Sequence, residues 1–183
     1  MEKQTTELAK ITPSELLTTY SIKELRTSLA HVKTIEDSIN AKTPTIGMMV
    51  RSLGANKIES YIKMWLINLN QSLNLKRGLS EAQIDECSFL LVNEYSNLTV
   101  SDINLIFKNA KLGKYGEFFE SLTLAKIMLW FRMYFEERCQ ASAILSEREA
   151  SQYKYRAERN NKPQQLRDSV ALNSDDLKQL KNK

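Results

Sequence analysis

Turn-forming residues are scarce in this chain. The sequence has five glycines and three prolines among its 183 residues, whereas these two residue types together average about 12% of a protein. A β-sandwich or barrel needs many tight turns, and a doubly wound sheet needs glycine-rich loops. The apolar content of 42% and the charged content of 26% are ordinary for a globular domain. The sequence therefore predicts an all-α protein, a compact bundle of about five helices with an N-terminal helical arm and a polar C-terminal helical tail.

Helix-starting signals divide the chain into segments. A Ser, Thr or Asn before an apolar periodic run is typical of an N-cap, and the predicted N-caps are Thr12, Ser21, Asn56, Ser80 and Thr99. Apolar residues recur at three- and four-residue spacing from Ile22 to Ile39, which predicts one helix over 22–40. We expect that helix to dock either on the main body or on another chain. A helix over Ile46–Leu53 is expected to end at Gly54, and a last long helix to begin near Thr123.

The charge is unevenly distributed along the chain. Of the net +4, residues 146–183 contribute +3, residues 46–145 contribute +1 and residues 1–45 contribute none. We therefore distinguish an N-terminal helical arm and linker (1–45), a helical core domain (46–145), and a basic polar helix with a mobile tail (146–183). The helix in the last segment is polar on every side and is expected to end at residues 160–163.

The residues that usually carry catalysis and metal binding are few. His31 is the only histidine, and the zinc-site spacings CxxC and HExxH do not occur. We expect no catalytic residue, no metal site, no cofactor and no enzymatic activity. Cys87 and Cys139 lie in helical patterns and are expected to be reduced. The first residues lack an apolar signal core, and no window is apolar enough for a membrane span, so we expect a cytoplasmic protein without a membrane partner.

The C-terminal segment carries the strongest signal for nucleic acid. Cations and aromatic residues alternate there, a combination that binds phosphates and stacks on bases. The candidate nucleic-acid-binding residues are Lys154, Arg156, Arg159, Lys162 and Arg167. A solvated polar helix without a ligand has a similar composition, so both interpretations stay open.

Gly113-Lys114-Tyr115-Gly116 superficially suggests a phosphate-binding loop. A P-loop, however, requires GxxxxGK[ST] after a strand, and the GxxG of a KH module requires a sheet. The interpretation we favour is structural: Gly113 ends a helix and Gly116 lets the chain turn where aromatic residues pack. Lys108, Lys111 and Lys114 either form an exposed basic edge or complement the end of a helix.

The segment from Asn93 to Arg138 resembles a group of small all-helical proteins of unassigned function from bacteriophages and bacterial mobile elements. The resemblance covers roughly residues 55–140, and its motif reads GKYGEFF…W…Y..ER. The matching residues, which we expect to be structural, are Gly113, Lys114, Tyr115, Gly116, Phe118, Trp130, Tyr134 and Arg138. In architecture the chain is similar, more loosely, to phage replication accessory proteins and helicase loaders.

Two functions are compatible with these observations. The first is a non-enzymatic accessory or adaptor protein of phage or mobile-element DNA replication. Its helical body would bind a replication protein or a second copy of itself, and its basic tail would bind DNA. The alternative is a structural or interaction protein, a virion component or a host-directed adaptor, that does not bind nucleic acid and assembles through the stripe from Ile22 to Ile39.

Overall fold

The structure is a computed structural model that describes residues 11–116 and 121–179, with side chains as far as residue 157. These residues form eight helices and no strand, which confirms the all-α prediction. The helices are α1 (Pro13–Leu17), α2 (Ile22–Ser28), α3 (Ile35–Asn40), α4 (Ile46–Leu53), α5 (Ala55–Leu73), α6 (Glu81–Glu94), α7 (Val100–Lys111) and α8 (Leu124–Gln179). The chain divides into two compact units, Met1–Ala141 and Ser142–Lys183. In the part of the chain that the structure describes, no helix combines the length and the apolar character needed to cross a membrane.

The apolar stripe of the N-terminal region does not form one helix. The prediction of a helix over 22–40 is wrong, because α2 ends at Ser28 and α3 begins only at Ile35. Thr34 starts α3 with a capping box, in which its side chain accepts from the Asp37 amide while the Asp37 carboxylate accepts from the Thr34 amide. The break lets Leu29 and Val32 reach the core, where Val32 is fully buried. The stripe therefore docks on the rest of the first unit, and its buried residues are not available to another chain.

Several local signals act as predicted. The side chains of Thr12, Ser80 and Thr99 accept hydrogen bonds from backbone amides three residues later and cap α1, α6 and α7. The predicted cap at Asn56 is wrong, since α5 already begins at Ala55. Gly54, at φ +90°, both ends α4 and starts α5 without a side-chain cap. A positive φ is easy for glycine, so one residue is enough to turn the chain between two helices.

Helix α8 is longer than predicted. It was expected to end at residues 160–163, but its backbone continues to Gln179 through Pro163. A proline inside a helix removes one backbone hydrogen bond and crowds the preceding turn. Half of the residues from 164 to 179 are Gln, Leu, Arg or Lys, which are good helix formers, so helical propensity continues past the interruption.

Aromatic side chains connect the helices of the core. Trp65 of α5 stacks on Phe107 of α7 at a ring-centroid distance of 5.5 Å, and Phe107 meets Phe131 of α8 edge to face at 5.8 Å. Each ring is at most 3% exposed. Aromatic pairs of this geometry add about 0.5–1.5 kcal/mol each beyond the burial of their area. Helices α5, α7 and the first part of α8 are therefore held in register around one core.

Candidate functional site

A buried carboxylate lies at the start of α7. Asp102 is the third residue of that helix and completes a capping box with Thr99. The Thr99 hydroxyl accepts from the Asp102 amide at 3.2 Å, and Asp102 Oδ2 accepts from the Thr99 amide at 2.8 Å and from its hydroxyl at 2.9 Å. The negative charge also complements the positive end of the helix dipole. The local sequence Thr-x-x-Asp thus fixes the direction in which this carboxylate points.

Three further donors reach the same carboxylate from two other helices. Oδ1 accepts from the Ser38 hydroxyl of α3 and from the Tyr134 hydroxyl of α8, each at 2.7 Å. Oδ2 accepts from Nε of Arg138, also on α8, at 2.8 Å. The Asp102 side chain is fully buried, and the Arg138 side chain is 18% exposed. We call Ser38, Thr99, Asp102, Tyr134 and Arg138 the Asp102 cluster, which connects α3, α7 and α8.

The geometry of the cluster determines what it can do chemically. Two carboxylate oxygens offer about four lone-pair directions, and here they accept five hydrogen bonds. Asp102 therefore has no lone pair directed at a substrate or a metal ion. Burial raises the pKa of the Tyr134 phenol, and the neighbouring Asp102 charge raises it further. Tyr134 thus stays a neutral donor near neutral pH, and the cluster acts as a fixed scaffold.

A polar cleft opens beside this scaffold. It has a volume of about 300 Å³ and is lined by Tyr134 together with Lys33, Asn109, Lys114, Tyr115 and Glu137, among others. Asn109 Oδ1 is buried without a hydrogen-bond partner among the described residues. The lining thus combines charges of both signs with one unpaired amide oxygen.

Three residues of the family resemblance, Lys114, Tyr115 and Tyr134, line this cleft. Tyr115 stacks on Trp130 with ring centroids 5.6 Å apart. Gly113 and Gly116 have φ of +73° and +98°, which lets the chain turn between α7 and Trp130. Phe118 lies outside the described residues.

The loop with the two glycines does not have the geometry of a phosphate site. It follows the C-terminal end of α7, where the helix dipole is negative and free carbonyl oxygens point outward. A phosphate is favoured at the opposite end of a helix. The arrangement agrees with the structural interpretation, in which Tyr115 packs against the body.

The basic residues of the core and of α8 differ in their surroundings. Lys108 Nζ donates to the Val32 carbonyl oxygen at 2.9 Å, and Lys111 Nζ donates to Asn68 Oδ1 at 2.7 Å. Lys108 thus joins α7 to the segment between α2 and α3, and Lys111 joins α7 to α5, which neither sequence interpretation anticipated. Lys154 and Arg156 are instead exposed on α8. The backbones of Arg159, Lys162 and Arg167 continue this helix, but their side chains lie outside the described part of the chain.

Other reactive residue types are dispersed. His31 is exposed, and no group of three or more His, Cys, Asp or Glu side chains gathers in the described residues. Cys87 and Cys139 are free thiols, the first buried and the second exposed. Burial raises the pKa of the Cys87 thiol to about 12, so this thiol is unreactive in the folded chain.

The sequence analysis names three of the five members of the Asp102 cluster, but it does not predict that they contact one another. Thr99 is predicted as a helix start, and Tyr134 and Arg138 as motif residues, whereas Asp102 and Ser38 are not singled out. One signal was present: Tyr134 and Arg138 are four residues apart, so they share a helix face. Two donors on one face indicate a common acceptor, although they do not say which carboxylate it is.

We compared the chain with protein-family models, with curated proteins and with solved structures, and none of these comparisons gives a match. The resemblance to a phage and mobile-element family therefore stays a prediction.

Proposed function

We propose that this chain is a non-enzymatic adaptor that binds a protein partner through its first unit and DNA through the basic part of α8. The replication setting, accessory work in phage or mobile-element DNA replication, rests on the family resemblance of residues 55–140. The two binding activities rest on separate observations, and each is argued below from the residues that carry it.

The DNA half rests on four consecutive side chains of α8. Tyr153 and Tyr155 are 78% and 67% exposed, unusually high for large aromatic side chains. Lys154 and Arg156 alternate with them and are also exposed. Exposed cations attract phosphates, and exposed rings are stacking platforms for unpaired bases. This juxtaposition is the observation that carries the proposal.

The lysines of the core differ from the basic residues of α8, and this difference supports the proposal that α8 binds DNA. Lys108 and Lys111 donate to oxygens of neighbouring segments of the first unit, so these two ammonium groups stabilise packing. Residues 153–167 contain the five candidate cations and one acidic residue, Glu158, so the net charge of this short stretch is +4. A charge density of this kind attracts polyanions over about one Debye length, roughly 8–10 Å at physiological salt.

The proposed binding of a protein partner rests on an apolar groove between α1 and α5. The groove has a volume of about 300 Å³, and its lining includes Pro13, Leu17, Tyr61 and Met64. Leu17 is 64% exposed and Met64 is 41% exposed. Apolar side chains gathered in one groove are more typical of a binding surface than the same residues scattered singly.

The DNA half is tested by titrating fluorescent single-stranded and duplex oligonucleotides with the full chain at several salt concentrations. The variant carries Lys154→Gln, Arg156→Gln and Arg159→Gln. Each lost phosphate contact makes the slope of log K against log salt shallower by about 0.7–0.9, so three lost contacts reduce it by about 2–3. Binding near physiological salt should weaken at least about tenfold.

A matched control removes the same charge elsewhere. Lys23, Arg51 and Lys57 are exposed on the first unit, and their replacement with glutamine also lowers the net charge by three. The control should bind like the unchanged protein. Equal losses in both variants, or negligible binding by the unchanged protein, would remove the DNA half and favour the structural or interaction protein. A gene position beside a helicase or primase gene would favour the replication setting over capsid and tail assembly.

A further inference from the structure

A third cavity lies between α2, α5 and α7, away from the Asp102 cluster. Its volume is about 310 Å³, at the lower end of the range for small-molecule pockets, about 300–1,000 Å³. The floor consists of Leu29, Trp65 and Phe107, which are at most 6% exposed. Trp65 and Phe107 are nearly parallel, with an interplanar angle of 13°. The floor is thus apolar, largely aromatic and part of the buried core.

The rim of this cavity is cationic. Arg26, Lys108 and Lys111 line it, and among the residues that the structure describes no acidic side chain does. The two lysines donate to a backbone carbonyl and to an asparagine side chain, which are neutral acceptors. Burial lowers the pKa of Lys111, and the nearby Arg26 charge lowers it further. Like charges gathered beside an apolar floor repel one another, and an anion bound between them would offset that repulsion.

We propose that this cavity binds a small organic anion with a flat apolar body, of the aromatic carboxylate class. The ring lies against Leu29, Trp65 and Phe107, and the carboxylate faces Arg26 and Lys111. An arginine and an ammonium at one rim suit a carboxylate, since each offers several N–H donors and a full charge. A neutral aromatic molecule gains the apolar contact but leaves the repulsion between the cations in place.

This inference goes beyond the proposed adaptor function and does not depend on it. The cavity involves residues of the first unit, whereas the DNA proposal rests on α8 beyond residue 152. A ligand in the cavity would bridge α2 to α5 and α7, so it would stabilise the docking of the N-terminal helices. Binding is thus expected to raise the free energy of unfolding by mass action.

The test is isothermal titration calorimetry of the full chain with 2-naphthoate, compared with the uncharged 2-naphthamide of nearly the same shape. We expect 2-naphthoate to bind with a Kd below about 1 mM, and 2-naphthamide at least about tenfold more weakly. Lys111→Met keeps the apolar stem and removes the charge, which should weaken naphthoate about tenfold or more and leave naphthamide little changed.

Two further variants keep the test decisive if Lys111→Met disturbs folding. Arg26→Gln changes an exposed side chain and should weaken naphthoate by a similar factor. Lys114→Met is the matched control, because Lys114 lines the other cleft, and it should bind like the unchanged protein. No heat of binding at about 1 mM naphthoate, equal affinity for both compounds, or equal losses in Arg26→Gln and Lys114→Met would each overturn the proposal.

Discussion

Replacing Asp102 with asparagine removes one negative charge from the Asp102 cluster while keeping the shape of the side chain. The asparagine oxygen can still accept from Thr99 and Arg138. Its amide group then faces the hydroxyls of Ser38 and Tyr134, which must turn from donating to accepting. The variant thus retains a hydrogen-bonded cluster but leaves the guanidinium of Arg138 without its counter-charge.

The expected loss in the free energy of unfolding follows from the hydrogen bonds and the ion pair of Asp102. A hydrogen bond to a charged group contributes about 1.5–3 kcal/mol, a neutral one about 0.5–1.5 kcal/mol. Breaking a buried ion pair by removing one partner costs about 3–5 kcal/mol. Asparagine restores part of the bonding and Arg138 reaches some solvent, so we expect Asp102→Asn to lower the free energy of unfolding by about 2–3 kcal/mol. Asp102→Ala, which leaves every donor unpaired, should cost about 4–5 kcal/mol.

Urea denaturation followed by tryptophan fluorescence measures this effect. Trp65 and Trp130 are the only tryptophans, and both lie in the first unit, so the signal reports the unit that contains the Asp102 cluster. A double-mutant cycle with Arg138→Met isolates the pair and should give a coupling energy of at least about 1 kcal/mol. Because α3, α7 and α8 meet at one carboxylate, the variants should also unfold at a lower temperature, by about 3–4 °C per kcal/mol.

A carboxylate of a different kind supplies the control. Asp85 forms an ion pair with Lys63 at 2.7 Å, but the two side chains are 56% and 34% exposed. Asp85→Asn should cost less than about 1 kcal/mol, as solvated ion pairs do. If Asp102→Asn cost no more than Asp85→Asn, or if its effect simply added to that of Arg138→Met, the interpretation of the cluster would be refuted.

Two further predictions concern buried titratable groups. Tyr61 is 1% exposed and donates to the Tyr20 carbonyl oxygen at 2.8 Å, and burial raises its pKa. The unfolded phenol ionises near pH 10, so its contribution to stability is complete below pH 10 and declines above it, by up to about 1.4 kcal/mol per pH unit. In Tyr61→Phe, denaturation between about pH 10 and 11.5 should therefore show a shallower decline, and an unchanged slope would contradict this. For the thiols, a disulfide reagent at pH 8 should modify Cys139 in the folded chain and Cys87 only in denaturant. In Cys139→Ser the rapid reaction should disappear, and a rapid reaction that remained would place Cys87 at the surface.

How much of the fold was predictable depends on the distance over which each signal acts. The caps at Thr12, Ser80 and Thr99 were predicted, because a cap joins residues three positions apart and is formed within one turn. The break in the apolar stripe at Leu29–Thr34 was not predicted, although Thr34 and Asp37 have the spacing of a capping box. The apolar spacing continued through the break and concealed it. Val32 lies outside both helices, and it is apolar because it packs into the core.

The sequence by itself determined the class of the protein and most of its helix starts. Few glycines and prolines, apolar residues at helical spacing and polar caps all act within a few positions, so no tertiary contact is needed to read them. Only the tertiary structure decided which polar groups meet. Ser38, Tyr134 and Arg138 reach Asp102 across 64, 32 and 36 positions of chain, and Lys108 reaches Val32 across 76. Packing of the core brings such residues together, because a polar group can be buried only where the surrounding helices supply its partners.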